Sequence, residues 1–400
     1  MRHEVRLSLA DGTPLVGWPE VDVTIDMLSP GSPWTVTLHY SPDIAQGLWS
    51  LVQRRCLLEE SIRLDIDGAC QLRGRIEQRR ERISRKGATV TLSGRDVAAR
   101  AMDWDADPTV QLRGLSLQAA LERLFQDVGL TPEILSGAGA QEIQSTPHHT
   151  RSTTRRNSRR ADRSRPTTVK VQPGERIWQV CEKLCRRQGY LLWCAPAFTS
   201  NNSERDAVGP VVDVPNETIP ENPAIVFARL SNGDGTWRGN ILESDYDLSS
   251  MNVPTLVTGF AHTRLNSDGD TSDRRAVVNQ YLRDHPKVRP TRPLGLLPKP
   301  RYIQGDRARS GDEVEKECQK LISEANANLE TYTAIVQGFG QAGKLYAVNS
   351  IALVRDDAQI PVFQKNMLIT RVHFHQSRER GQVSEVRMVP VGAIKVYPDA

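Results

Sequence analysis

The chain has 400 residues, 38% of them hydrophobic and 25% charged, with a formal net charge of +4. That length accommodates about two to four domains at roughly 100 to 200 residues each. A charge this close to balance excludes a generic polyanion binder. Met1 leads straight into the alternation of Val5, Leu7 and Leu9, which predicts no signal peptide, and no apolar run reaches membrane-spanning length. No membrane anchor is therefore expected, and folding in a cytoplasm is. Six cysteines, at 56, 70, 181, 185, 194 and 318, lack the dense spacing of a secreted disulfide framework.

The first elements are strands. Val5, Leu7 and Leu9, then Val21, Val23 and Ile25, then Trp34, Val36 and Leu38 alternate with polar residues, the period of two that buries one face. Asp11-Gly12 and Pro30-Gly31-Ser32 turn the chain between them. Asp43 to Cys56 sets Ile44, Leu48, Leu51 and Val52 at helical spacing, which predicts a helix within the meander. From Ser61 the pattern reads strand, hairpin at Asp67-Gly68, strand to Ser84, turn at Arg85-Lys86-Gly87, and a third strand with Val90 and Leu92. Asp96 is placed to cap a short helix that turns Val97, Ala98 and Met102 inward. A meander this long closes most naturally as a barrel or sandwich, because its edges must be paired or covered. Residues 1–104 are thus expected to root a first barrel.

Residues 105–215 read as an α+β domain. Ser116 caps a helix with Leu117, Ala120, Leu121, Leu124, Phe125 and Val128 on one face and Gly129 as its stop. Residues 145–168 are almost free of apolar side chains and hold seven arginines between Arg151 and Arg165 against the single acid Asp162. They are expected to form a mobile loop, read either as a grip on nucleic-acid phosphates or as a solvated insertion. Val169 opens a strand, Pro173-Gly174 turns, Ile177, Val180, Cys181 and Leu184 line a helix, Gly189 ends it, and Tyr190 to Cys194 makes a buried strand. Val169, Pro173-Gly174-Glu175 and Ile177-Trp178 resemble the opening of a peptidoglycan-binding LysM module. The second half of that module is not evident. Cys181, Cys185 and Cys194 lack a fourth ligand nearby, so core thiols are expected rather than a zinc site.

Residues 198–221 read as loop, 226–230, 239–247 and 253–262 as strands, 267–272 as a surface turn and 286–300 as a proline-rich connector. A helix is predicted over 311–329 with Val314, Cys318, Leu321, Ile322 and Ala325 on one side. A second meander follows: Ser350 to Leu353 echoes Ser61 to Leu64, Asp356-Asp357 stands at the turn, Met367 to Val372 is the next strand, and Gly381 turns into Val383, Val386 and Met388. The two meanders suggest an internal duplication. Two separate barrels that superpose are then expected, and one common sheet formed by these segments would defeat the duplication.

This order of elements resembles the baseplate hub proteins of contractile phage tails, the Mu-type tail hub and late-control protein D family. The residues that carry it are Arg292-Pro293-Leu294, the helix at 311–329, Val336-Gln337-Gly338, Leu345-Tyr346-Ala347-Val348-Asn349, Asp356-Asp357, Leu368 to Val372, Gly381 and Val389 to Ala393, with Gly94 to Val97 and Pro173-Gly174-Glu175 in the family's order too. The Arg-rich loop is a departure. The resemblance implies an α+β, mainly β fold with two tail-tube-like barrels, 1–104 (completed, in this reading, by strands from 225–262) and 320–400. Between them lie the support domain 105–215 and a β-rich segment with its connector and helix, 216–319. It implies a homotrimeric adaptor in the virion's tail baseplate, assembled in the host cytoplasm. Its neighbours would be the central spike, the tail tube, the baseplate wedge and a tape-measure protein, with nucleic acid met only in transit.

Chemistry is sparse. No Gly-x-Ser-x-Gly, His-Glu-x-x-His or phosphate loop occurs, so no enzyme is expected and no catalytic, cofactor-binding or metal residue is assigned. His373 and His375 share a strand face as a two-histidine metal site would, but surface or interface histidines are the expected reading. Asp65, Asp67 and Glu77 have no partner legible in the sequence. The alternatives to a structural hub are a peptidoglycan-binding or nucleic-acid-binding module.

Overall fold

The computed structural model describes residues 3–395 apart from 16–19, 41–51, 53, 85–86, 113–114, 136–170, 197–207, 252, 264–273, 282–298 and 305–310. The Arg-rich loop, the 267–272 turn, most of the 43–56 helix and most of the proline connector lie outside the described residues. The chain is α+β and mainly β.

The first strands are β1 (Val5–Leu9), β2 (Pro14–Leu15), β3 (Glu20–Asp26), β4 (Pro33–Tyr40), β5 (Ser61–Ile66), β6 (Ala69–Arg75), β7 (Gln78–Ser84) and β8 (Gly87–Arg95), followed by α1 (Ala99–Asp103). Then come α2 (Leu117–Gln126), β9 (Glu133–Ile134), α3 (Ile177–Arg187), β10 (Leu191–Pro196) and β11 (Val208–Asp213). The chain continues through β12 (Ile225–Ser231), β13 (Trp237–Gly239), β14 (Ile241–Leu248), β15 (Leu256–Thr263), β16 (Arg274–Tyr281), β17 (Pro300–Gln304) and α4 (Gly311–Leu329). It ends with β18 (Glu330–Gln337), β19 (Gly340–Gln341), β20 (Lys344–Leu345), β21 (Ile351–Asp356), β22 (Phe363–Ser377) and β23 (Gly381–Pro390).

The strand predicted from Ala69 to Ser84 breaks into β6 and β7. The chain bends at fully buried Ile76, whose N–H donates to Glu60 O and whose carbonyl accepts from Glu59 N. Two glycines permit the crossing there. A Cβ on Gly94 would lie 2.0 Å from Arg75 O, and one on Gly74 would lie 2.5 Å from Arg95 O. Beyond the bend, Asp96 is fully buried, accepting from Ser32 N at 2.8 Å and Ala98 N at 2.9 Å. It ties the β3–β4 turn to the start of α1 rather than acting as that helix's N-cap.

The C-terminal half repeats this order of pairings. β3 pairs with β4, β4 with β8 and β8 with β7; likewise β14 pairs with β18, β18 with β23 and β23 with β22. Hairpin β5–β6 precedes β7 just as β21 pairs with the first half of β22. A leading hairpin meets each, β1–β2 on β5 and β12–β13 on β21, though β1 runs antiparallel and β12 parallel to its partner. β12 and β14 therefore complete the C-terminal half. The expectation that strands from 225–262 complete the first barrel is corrected: β12 pairs with β21 and β14 with β18, and β15 pairs instead with β16 and β17.

The two halves also do not form separate sheets. β3 pairs along β22 from Arg371↔Asp26 to Gln376↔Val21, joining β3, β4, β8 and β7 to the C-terminal strands in one eleven-stranded sheet, while β2–β1–β5–β6 forms a four-stranded sheet of its own. The 15-residue β22 is long enough to serve β21 with its first half and β3 with its second, which satisfies backbone groups that two isolated barrels would leave as open edges. One apolar core runs through both halves, from Leu7, Val23 and Trp34 to Phe227, Tyr332, Phe374 and Met388. The common sheet counts against duplication, and the repeated pairing order counts for it.

A second core gathers α2, α3 and the three-stranded sheet β10–β11–β9. Ser116 Oγ accepts from Ala119 N at 3.2 Å, and all six of the predicted inward residues of α2 are buried. The loop reading of 198–221 misses β11, whose Val208 and Val212 pack against this core while Val211 faces the first one. The apolar run is short and interrupted by Gly209-Pro210, which masked it. In α4, Cys318, Ile322 and Ala325 are buried as their spacing predicts, and the helix lies on β15 and β16.

Candidate assembly surface

Eight strands of the large sheet, in the order β14, β18, β23, β22, β3, β4, β8, β7, alternate in direction without exception. On one face lie Val21, Val23, Ile25, Val36, Val90, Leu92, Val372, Phe374, Val386 and Ala334, all buried. Because successive side chains point to opposite faces, the other face carries their neighbours. Those are Thr35 and Thr37, Thr89, Thr91 and Ser93, Asp22 and Thr24, Arg371, His373 and His375, Glu385 and Arg387, and Thr331 and Thr333, none of them buried. Across the strands these residues stand in register, as in Arg371↔Asp26, Asp22↔Thr35 and Thr35↔Ser93. Hydroxyls and charges of both signs make this a hydrated wall with little apolar surface.

The seam between the halves is held on that wall. Asp22 Oδ1 accepts from His375 Nδ1 at 2.7 Å and from His373 Nε2 at 3.1 Å. Burial opposes ionisation of Asp22, yet the two imidazole bonds outweigh it and its carboxyl sits below the ordinary range. His3 makes a second tie. Its backbone N–H donates to Gln382 Oε1 at 2.7 Å, its carbonyl accepts from Gln382 Nε2 at 2.6 Å, its ring bonds Asp67 at 2.6 Å, and it stacks on Phe339.

Inside the C-terminal half sits an ion pair that the sequence does not announce. Asp356, read as a turn residue, ends β21 with its side chain fully buried. Its carboxylate accepts from Arg229 Nε at 2.8 Å and Nη2 at 2.6 Å, from Tyr332 OH at 2.7 Å, from Ser244 Oγ at 2.8 Å and from Ala358 N at 3.1 Å. Burial alone would raise its pKa; the Arg229 fork and the two hydroxyls overcome that and hold it at about 2. Arg229 lies 127 residues away, so no local signal marks the pair.

The other sequence candidates are structural. Asp65 pairs with Arg63, and Glu77 with Arg95, which also reaches Asp103. Cys181, Cys185 and Cys194 are buried free thiols whose pKa values burial pushes up. Trp178 is 2% exposed and packs edge-on against Phe125, so it belongs to the core and offers no face to a sugar. Among the described residues no three His, Cys, Asp or Glu side chains gather as a metal-holding group. No helix of the described residues is long and apolar enough to cross a membrane.

No protein-family model and no curated protein matches the sequence. Solved structures do match. The prophage MuSo2 43 kDa tail protein from Shewanella oneidensis has a TM-score of 0.71 at 16% identity, over 98% of this chain and 99% of that one. The tail protein from Neisseria meningitidis MC58 gives 0.67 at 18% identity, over 98% of each chain. The E. coli c3393 protein is described as a component of the type VI secretion system, structurally similar to the T4 tail proteins gp27 and gp5. It gives 0.51 at 9% identity, over 98% of this chain and 79% of that one. Coverage this complete at such low identity means that the whole order of elements is shared while the residues are not. The chain has the fold of these phage tail proteins.

Proposed function

We propose that the chain is a structural hub of a contractile-tail baseplate, a homotrimeric adaptor between a six-fold tail tube and a three-fold central spike. The observation that carries this is the pairing order shared by β3–β4–β8–β7 and β14–β18–β23–β22, two similar four-stranded units in one sheet. Three copies offer six such units while keeping three-fold symmetry, which is the geometry a joint between the two symmetries needs. In this reading the polar face that the two units share lines the conduit through which the tail's cargo, nucleic acid in transit, passes. A wall of threonines and balanced charge favours passage over retention. The resemblance to tail and baseplate structures supports a place in the virion, with wedge and tape-measure proteins as neighbours.

Light scattering at micromolar concentration should give the mass of three copies, and a clean monomer or a stable dimer would overturn the trimer. Electron microscopy of particles lacking this gene should show no complete baseplates; tails that still contract and eject would refute the hub role. The chain turns over no substrate in this reading. The peptidoglycan-reader alternative loses its anchor with Trp178 in the core.

A further inference from the structure

Two arginines stand face to face on the polar wall without a counter-ion, and from them we infer a phosphate-binding site built by Arg371 of β22 and Arg387 of β23. The two are directly opposite in the β22–β23 register and share a face, since Val372 and Val386 beside them are paired and buried. Cβ atoms so placed are roughly 4.5–5.5 Å apart, and like charges there repel. The backbone beneath the pair is pinned. The register shifts between Ile369 and Arg371, and Thr370 between them is buried. Its hydroxyl donates to Arg387 O at 3.2 Å, and its carbonyl accepts from Met27 N at 3.0 Å. An irregularity of this kind re-aims the side chain beside it.

The wall does not neutralise the pair. Among the described residues neither guanidinium takes part in an ion pair or a side-chain hydrogen bond, and Arg371 Nε is shielded from solvent without a partner. Asp26 stands opposite Arg371 on β3, but its carboxylate accepts from Leu28 N at 2.8 Å at the head of the turn into β4. Glu385 lies two residues from Arg387 on the same face and makes no bond to it. Asp65 and Asp357, at that same spacing, do pair with Arg63 and Arg355. A shielded N–H without an acceptor and two opposed like charges both cost free energy, and one oxyanion held between the guanidiniums relieves both. Planar guanidinium forks suit phosphate oxygens, and Thr333, opposite Arg387 on β18, adds a hydroxyl to the same row. Across β7 and β8, the matching strands of the other unit, Arg80 and Arg82 face Thr91 and Thr89. The facing arginines therefore belong to the C-terminal unit.

The site stands on this geometry; only the source of the phosphate, a phosphodiester of nucleic acid in transit, rests on the hub reading. A single phosphate contact is weakly salt-dependent, in keeping with passage rather than retention. Calorimetric titration of the full chain with inorganic phosphate, at constant ionic strength against chloride, should show saturable binding. Arg371→Gln and Arg387→Gln should each weaken it about tenfold or more, because each removes a charged hydrogen-bond donor. Arg80→Gln, an exposed arginine of the same wall, should leave it unchanged. Melting curves keep the test valid if a variant folds less well. Phosphate should raise the Tm of the wild type and of neither variant. Without phosphate, Arg387→Gln should melt no lower than the wild type, since it removes a repulsion and no bond. Repeating the titration in saturating oligothymidylate should abolish the phosphate signal; an unchanged signal makes free phosphate the ligand and overturns the nucleic-acid source. No saturable phosphate binding, or binding indifferent to both arginine substitutions, overturns the site and leaves the hub reading standing. A chain that binds phosphate at these arginines yet stays monomeric keeps the site and overturns the trimer.

Discussion

Asp356 shows what one residue does in this molecule. Its buried carboxylate is satisfied by five bonds from four residues, so removing either charge leaves the other uncompensated in the core. Asp356→Ala should cost about 3–5 kcal/mol in denaturant unfolding. Arg229→Met should cost a comparable amount, because it strands the carboxylate. The pH dependence has a definite sign. A folded pKa held at about 2, below the ordinary 3.8, contributes stability above 3.8 that is lost as pH falls through that window. Asp356→Asn should therefore flatten the acid limb of the stability curve between those values; an unchanged limb would mean that other carboxylates govern acid unfolding.

At the scale of elements, the Ser116 cap read from sequence behaves as local chemistry dictates. Ser116→Ala removes the oxygen that accepts from Ala119 N and should destabilise by about 1 kcal/mol in thermal or urea unfolding. The β6–β7 bend is a stricter test. Gly94→Ala places a Cβ 2.0 Å from a backbone carbonyl that cannot swing away, so it should cost about 1–3 kcal/mol. Gly209→Ala, where the backbone is not left-handed and a Cβ would meet only Thr131 O at 3.4 Å, has no such wall and is expected to cost less. If the two cost the same, the close crossing of Arg75 and Gly94 is not what holds the bend.

For the whole molecule, the decisive feature is the seam where β3 joins β22. Asp22, His373 and His375 hold it from the polar face, and Val23 and Phe374 from the core. Because one core and one sheet span both halves, they should unfold together, in a single calorimetric transition, apart from any separate transition of the α2–α3 unit. Two transitions dividing the N-terminal from the C-terminal half would show the seam to be weak. Full-length protein should show no steep salt-dependent affinity for DNA. If it does, and deletion of Arg151 to Arg165 abolishes it, the phosphate-grip reading of that loop returns.

Period-two alternation, Asp-Gly turns and capped apolar stripes marked most described strands and helices, because each is written within a few neighbouring residues. Val21, Val23 and Ile25 specify which face of β3 is buried whatever β3 pairs with. The pairing itself is another matter. Nothing near Asp22 names His375, and nothing near Asp356 names Arg229, since bonds between residues 353 and 127 positions apart leave no local pattern. The sequence alone therefore determined the elements, their inward faces and their resemblance to tail hubs. Only the tertiary structure decided that β3 joins strands of both halves in one sheet and that β12 and β14 belong to the second half. Side-chain periodicity is a property of the strand, whereas strand order is settled by which edges can satisfy one another's backbone groups.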